Sequence, residues 1–101
     1  MNQLQQMMAQ AQKMQRELQK AQAELAKKEF SVTKAGLVTV KVLGNKEVQS
    51  IEIDNEGFDA DNKEMVEEMI AAALNELFEQ IDEESAAIEE RITGRSGGFG
   101  F

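Results

Sequence analysis

One feature limits the possible folds more than any other: an apolar seam that runs without interruption through the start of the chain. Leu4, Met7, Ala11, Met14, Leu18, Ala21 and Leu25 follow one another at alternating steps of three and four. A heptad pattern held this long demands a long amphipathic helix with something packed along one side. The segment from Asn2 to about Lys28 contains no Gly or Pro and is rich in Gln, Ala, Leu, Met, Lys and Glu, all good helix formers. Glu24 and Lys28 add an acid-before-base pair at i,i+4, the favoured order on a helix. The side away from the seam carries Lys13, Arg16, Lys20 and Lys27. At 100° per residue these four fall within roughly 60° of one another. One face is suited to protein and the other to a polyanion.

Beyond Lys28 the period shortens from 3.6 to 2. Phe30 and Val32, extending to Lys34, alternate with Ser31 and Thr33 as a short first strand, and Ala35-Gly36 reads as a tight turn. Leu37 to Leu43 is a β-branched run and the strongest strand in the chain. Gly44-Asn45, both tolerant of positive φ, marks the next turn. In the third strand strict alternation places Val48, Ser50 and Glu52 on one face and Gln49, Ile51 and Ile53 on the other. Three strands joined by short turns make an antiparallel meander, which needs a helix laid across its apolar face.

The acidic stretch from Asp54 to Asp61 reads as a solvated loop. As a calcium loop it fails, because counting from Asp54 puts Asp59 where Gly is required and Met65 where Glu is required. Asp61 followed by Glu64 fits a capping box opening a second helix. Val66, Ile70, Ala73, Leu77, Ile81, Ile88 and Ile92 mark its apolar face, broadened early by Leu74 and Phe78. The helix is expected to run to about Ile92, and a break would fall near Ser85, where acids crowd in. The expected class is therefore α+β: a long N-terminal helix, a three-stranded antiparallel meander and a long C-terminal helix. Residues 1–93 form one α–βββ–α domain, and 94–101 form a flexible Gly-rich tail.

Charge is distributed unevenly. The net charge is −8, but residues 1–46 hold eight Lys/Arg against three Glu, and residues 47–101 hold three against sixteen Asp/Glu. The overall balance is thus a poor guide to any one surface. The absence of His and Cys removes the usual neutral-pH proton shuttle, the thiol nucleophile and the common transition-metal ligands. No phosphate-binding Gly-rich loop opens a helix. These features point away from an enzyme, a cofactor, a metal or a small-molecule substrate. The polar, Gln-rich start is unlike a signal peptide, and no apolar run approaches the ~20 residues of a membrane span. A cytoplasmic location without membrane contact is the expectation.

Lengths bear on assembly. The first helix should extend ~40 Å and the second ~45 Å, whereas a compact chain of this size is about 30–35 Å across. Both helices should overhang the sheet, and an overhanging apolar seam calls for a homodimer.

Met8-Ala9-Gln10-Ala11-Gln12-Lys13-Met14-Gln15 resembles the opening-helix signature of the YbaB/EbfC family of bacterial nucleoid-associated proteins. Gly36-Leu37-Val38-Thr39-Val40, Gly44 and Ile51-Glu52-Ile53-Asp54 are similar to its strand pattern. Asp61, Glu64-Met65 and Ala71-Ala72-Ala73-Leu74-Asn75 are similar to its second helix, and the Gly-rich end closing in Phe also fits. The resemblance implies a tweezer-like homodimer with protruding helices that binds double-stranded DNA with little sequence preference, in the nucleoid. On the cationic stripe, Lys13, Arg16, Lys20, Lys27 and Lys28 are the expected phosphate contacts, with Lys34, Lys41 and Lys46 as additions from the sheet. The competing expectation is an acidic, coiled-coil-like adaptor that binds a basic protein and not DNA.

Overall fold

A three-stranded sheet joins two long helices of unequal exposure in the computed structural model, which describes residues 2–94. The proposed tail therefore lies, apart from Gly94, outside the described residues.

Helix α1 spans Gln3–Lys27. Asn2 caps it, its side-chain oxygen accepting from the Gln5 amide at 2.8 Å, which satisfies one of the orphan donors of the first turn. At the other end Lys28 turns extended, and its amide closes onto the Leu25 carbonyl at 3.0 Å. Strands β1 (Glu29–Lys34), β2 (Val38–Leu43) and β3 (Val48–Ile53) then form an antiparallel meander in the order β1-β2-β3.

The two turns use different chemistry. Between β1 and β2 the backbone is left-handed at both Ala35 (φ 51) and Gly36 (φ 67), the pattern of a primed hairpin turn whose twist matches that of the strands. Between β2 and β3 the positive φ falls on Lys46 (φ 70) rather than on Gly44 or Asn45. Gly44 is needed for proximity: its amide donates to the Lys28 carbonyl at 2.9 Å, and Asn45 donates to Ala26 at 3.2 Å. The turn is stitched to the end of α1.

The face of β2 toward the core is Val38, Val40 and Val42, all fully buried. On β3, Ile53 and Ile51 lie opposite Val38 and Val40, but a register shift then sets Val48 opposite Val42. A bulge has inserted one residue, and it reverses the side on which Val48 emerges. Val48 therefore shares a face with Ile51 and Ile53, contrary to the strict alternation read from sequence. The other face of the sheet is polar, with the Thr33 and Thr39 hydroxyls 2.9 Å apart.

The acidic connection is more structured than a solvated loop. Residues Asn55–Phe58 and Ala60–Asn62 form two short 3-10 turns, and the Asp54 and Asp59 side chains accept from the Glu56 and Asp61 amides. Helix α2 spans Lys63–Thr93. Its N-cap is Asn62, which makes no side-chain cap bond and instead donates through Nδ2 to the Glu56 carbonyl at 2.9 Å. The capping box expected at Asp61 is not formed, because Asp61 already belongs to the preceding turn. No break occurs at Ser85. Its hydroxyl and carbonyl are both engaged by Gln22 of α1, so the residue serves as a junction between helices. Gly94 (φ 73) closes α2, its amide reaching the Glu90 carbonyl, a common use of glycine at a helix end.

The core joins Leu25, Phe30, Val38, Val40 and Val42 to Val66, Ala73, Leu77 and Ile81 of α2. Helix α2 lies mainly over β1 and β2 and runs antiparallel to the C-terminal third of α1. The remainder of α1 packs against nothing: every residue from Asn2 to Glu17 is exposed. The overhang expected from helix lengths is present. The chain measures 71 × 25 × 15 Å with a radius of gyration of 19.5 Å, against about 13 Å for a compact chain of this length.

Candidate nucleic-acid interface

The heptad seam determines where the cations of α1 point. Because Leu25 is buried against the sheet and α2 while Ala21, Gln22 and Ala26 are half-buried, the diametrically opposite face looks into solvent. Lys13, Arg16, Lys20 and Lys27 occupy that face, and all four are exposed. From Lys13 to Lys27 they cover ~21 Å of helix, comparable to about six base-pair steps of duplex.

Their partners are few. Lys13 lies 4.0 Å from Glu17 one turn away, with both side chains mostly in water, a pair worth little. Arg16, Lys20 and Lys27 form no ion pair with a described residue.

Lys28 stands apart from the stripe. It lies just past the helix, where the chain has already turned extended, and its ammonium contacts Glu84 of α2 at 2.7 Å above the Phe30 ring. The three lysines of the sheet region are likewise occupied: Lys34 by Glu76, Lys41 by Glu29 at 3.9 Å, and Lys46 by Asp82 at 2.8 Å. Sequence reading placed Lys13, Arg16, Lys20 and Lys27 on one helix face by periodicity and added Lys28, Lys34, Lys41 and Lys46 by charge. The signal that separates the two sets is the switch of period at Lys28, from which point Lys28, Lys34 and Lys46 meet acids of α2 and Lys41 meets Glu29 of β1.

These contacts also account for part of the acidity of α2. Glu76, Asp82 and Glu84 each meet a lysine from the first half of the chain, so the opposed charge of the two halves is partly neutralised within the fold. Of the eight cations in residues 1–46, the four that no acid of α2 or the sheet engages are those on the outer face of α1.

Among the described residues no charged side chain is buried, and no group of three or more acidic residues is placed to hold a metal ion. No described helix is long and apolar enough to cross a membrane.

A second exposed surface is apolar. Because α2 covers mainly β1 and β2, the core-side face of β3 is left open, and Val48 and Ile51 retain 44% and 43% exposure. Phe58, at 73%, stands beside a shallow cleft lined by Ile53, Ala60, Val66 and Ile70. Water meets a patch that elsewhere in the sheet is core.

Comparison with known proteins finds relatives of this chain by sequence. A nucleoid-associated protein of Lachnospira eligens is 47% identical over 73 residues, covering 71% of this chain and 63% of its own length. A nucleoid-associated protein of Lachnoclostridium phytofermentans is 46% identical over 65 residues, 64% of this chain and 55% of its own. One of Agathobacter rectalis is 46% identical over 63 residues, 62% and 56% respectively. The match thus spans less than two thirds of each relative. The sequence model of the YbaB/EbfC DNA-binding family extends further, over residues 1–96. The chain belongs to the YbaB/EbfC DNA-binding family.

Proposed function

We propose that this protein binds double-stranded DNA as a homodimer, chiefly through phosphate contacts and with little sequence preference, and that it does so in the cytoplasm as part of the nucleoid. The observation that carries the proposal is the row of Lys13, Arg16, Lys20 and Lys27 on the solvent face of a helix that projects from the sheet. Cations spaced along one face meet the sugar–phosphate backbone without reading base edges, which gives affinity without specificity. Lys28 can join them only by leaving Glu84, so it ranks below the other four. The relatives' names, nucleoid-associated protein, point the same way, and nothing in the reading calls for catalysis, a cofactor or a small-molecule substrate.

The homodimer reading rests on the apolar face of β3. Val48, Ile51 and Phe58 form a surface that one chain leaves wet and that a second copy would cover by two-fold pairing. Such a dimer carries two projecting arms, in keeping with a tweezer-like shape, and about eight cations for the duplex. The rival reading, an acidic adaptor for a basic protein, is less well supported, since Glu76, Asp82 and Glu84 are already engaged by this chain's own lysines.

A salt titration of duplex binding by gel shift tests the proposal. With 6–10 phosphate contacts, affinity should fall about 10³- to 10⁵-fold between roughly 50 and 200 mM salt. Failure of a confirmed dimer to bind duplex at ~50 mM salt would overturn the DNA reading.

A further inference from the structure

The stretch of the heptad seam outside the core runs from Leu4 to Leu18, which is half-buried where α2 begins to cover it, and its midpoint is Ala11. On the seam Leu4 and Met7 are 64% and 59% exposed and Met14 36%, with Met8 on its flank at 55%. The same stretch differs from the rest of the molecule in charge. Between Gln3 and Gln12 there is no charged residue, although the whole chain carries −8. Two copies approaching anywhere on their acidic surfaces repel one another, whereas two α1 tips do not. The cations at Lys13, Arg16 and Lys20 lie on the far side of the helix from this face.

We propose that the α1 tip pairs antiparallel with the α1 tip of a second copy, about a two-fold axis at Ala11. In that arrangement residue i lies opposite residue 22 − i of the other chain. Leu4 meets Leu18, Met7 packs beside Met14 on the same flank of the interface, and the two Ala11 side chains face each other on the axis, where only a small residue lets the backbones approach closely. Lys13 comes opposite Ala9 and Arg16 opposite Gln6, so no like charges are brought together. Each partner tip ends where the other chain's α2 begins to cover the seam.

This contact is separate from the face on β3. Two self-complementary surfaces on one chain link copies either into a closed tetramer or into an open chain of dimers. A stable interface recruits about 20–30 residues a side, and one face of a short helical stretch offers far fewer. The tip contact is therefore weak in free solution, and it strengthens when copies are held near one another, as they would be along a common polyanion. The cationic faces stay outward throughout.

The absence of Cys from the chain makes a direct experiment available. Ala11→Cys, Leu4→Cys, Leu18→Cys and, as a collisional control, Asn75→Cys on the exposed side of α2 are each oxidised without DNA present. Ala11→Cys should form disulfide-linked pairs about tenfold faster than Asn75→Cys, as expected for thiols held at raised effective concentration. Leu4→Cys should not self-link above the control, but should link to Leu18→Cys when the two are mixed. Adding Met7→Glu to Ala11→Cys should remove the enhancement with helix content unchanged, since both sites lie outside the folded core. Linking of Ala11→Cys at the control rate overturns the proposal, and so does self-linking of Leu4→Cys as fast as Ala11→Cys. A face made for an unrelated protein gives the first of these results. Because no DNA is present, the outcome is independent of whether the stripe binds a duplex.

Discussion

Gly44 and Leu25 are in backbone contact: a β-carbon added to Gly44 would lie 1.8 Å from the Leu25 carbonyl oxygen and 2.6 Å from its carbonyl carbon. These neighbours are main chain, which cannot rotate away. Gly44→Ala should therefore force α1 and the β2–β3 turn apart and disturb the bonds from Gly44 and Asn45 to Lys28 and Ala26. A loss of about 3 kcal/mol or more is expected, in the range of the large single-site effects. Urea denaturation followed by circular dichroism checks it, and a change below ~1 kcal/mol would contradict the close approach.

Ala35 is strained where Gly36 beside it is not. Both sit at positive φ, a conformation that disfavours any side chain with a β-carbon. Ala35→Gly should stabilise the protein by about 0.5–1 kcal/mol, the relief of strain exceeding the added entropy of the unfolded chain. Thermal unfolding should shift upward by a few degrees.

Charge reversal on the arm should separate binding from folding. Lys13→Glu, Arg16→Glu and Lys20→Glu together are expected to abolish duplex binding in a gel shift. All three positions are exposed, so the melting temperature should remain nearly unchanged. Lys27→Ala alone, which removes one contact from each arm of the dimer, should reduce the salt slope by about two. Lys28→Ala should affect DNA less than Lys27→Ala does. Binding that survives the triple reversal would remove the stripe from the interface.

Placing a charge on the open face of β3 should dissociate the dimer. Ile51 is 43% exposed in the single chain, so Ile51→Glu leaves each protomer able to fold, whereas in a two-fold interface it would bury carboxylates without partners. Sedimentation should show a folded monomer at micromolar concentration, with duplex binding weakened because the two arms no longer act together. An unchanged dimer would locate the interface elsewhere.

Elements whose sequence signal is periodic were legible, and those set by contacts between segments were not. The long first helix from Asn2 to about Lys28 and the β-branched strand from Leu37 to Leu43 are local patterns, and the structure reproduces both to within a residue at each end. Val48 could not be placed by alternation, because a bulge changes parity without changing composition. A crowd of acids around Ser85 resembled a weak point until Gln22 supplied the missing partners. Asp61 carried a capping signature one residue too early, since Asp59 and Asp54 had already drawn the backbone into short turns. The candidate stripe was legible as a helix face. That Lys28, Lys34, Lys41 and Lys46 are engaged elsewhere required knowing which acids fold back onto them.

The free portion of α1 behaves mechanically as a cantilever. Its clamp is short, confined to Leu18–Ala26 and the stitched turn at Gly44, and the unsupported beam beyond it is ~22 Å long. A tilt of only about 10° at the clamp swings the tip by ~4 Å, more than half a helical turn. The aim of the arm is thus determined by a few residues far from its working end. Substitutions along the beam alter what it holds, while substitutions at the clamp alter where it reaches.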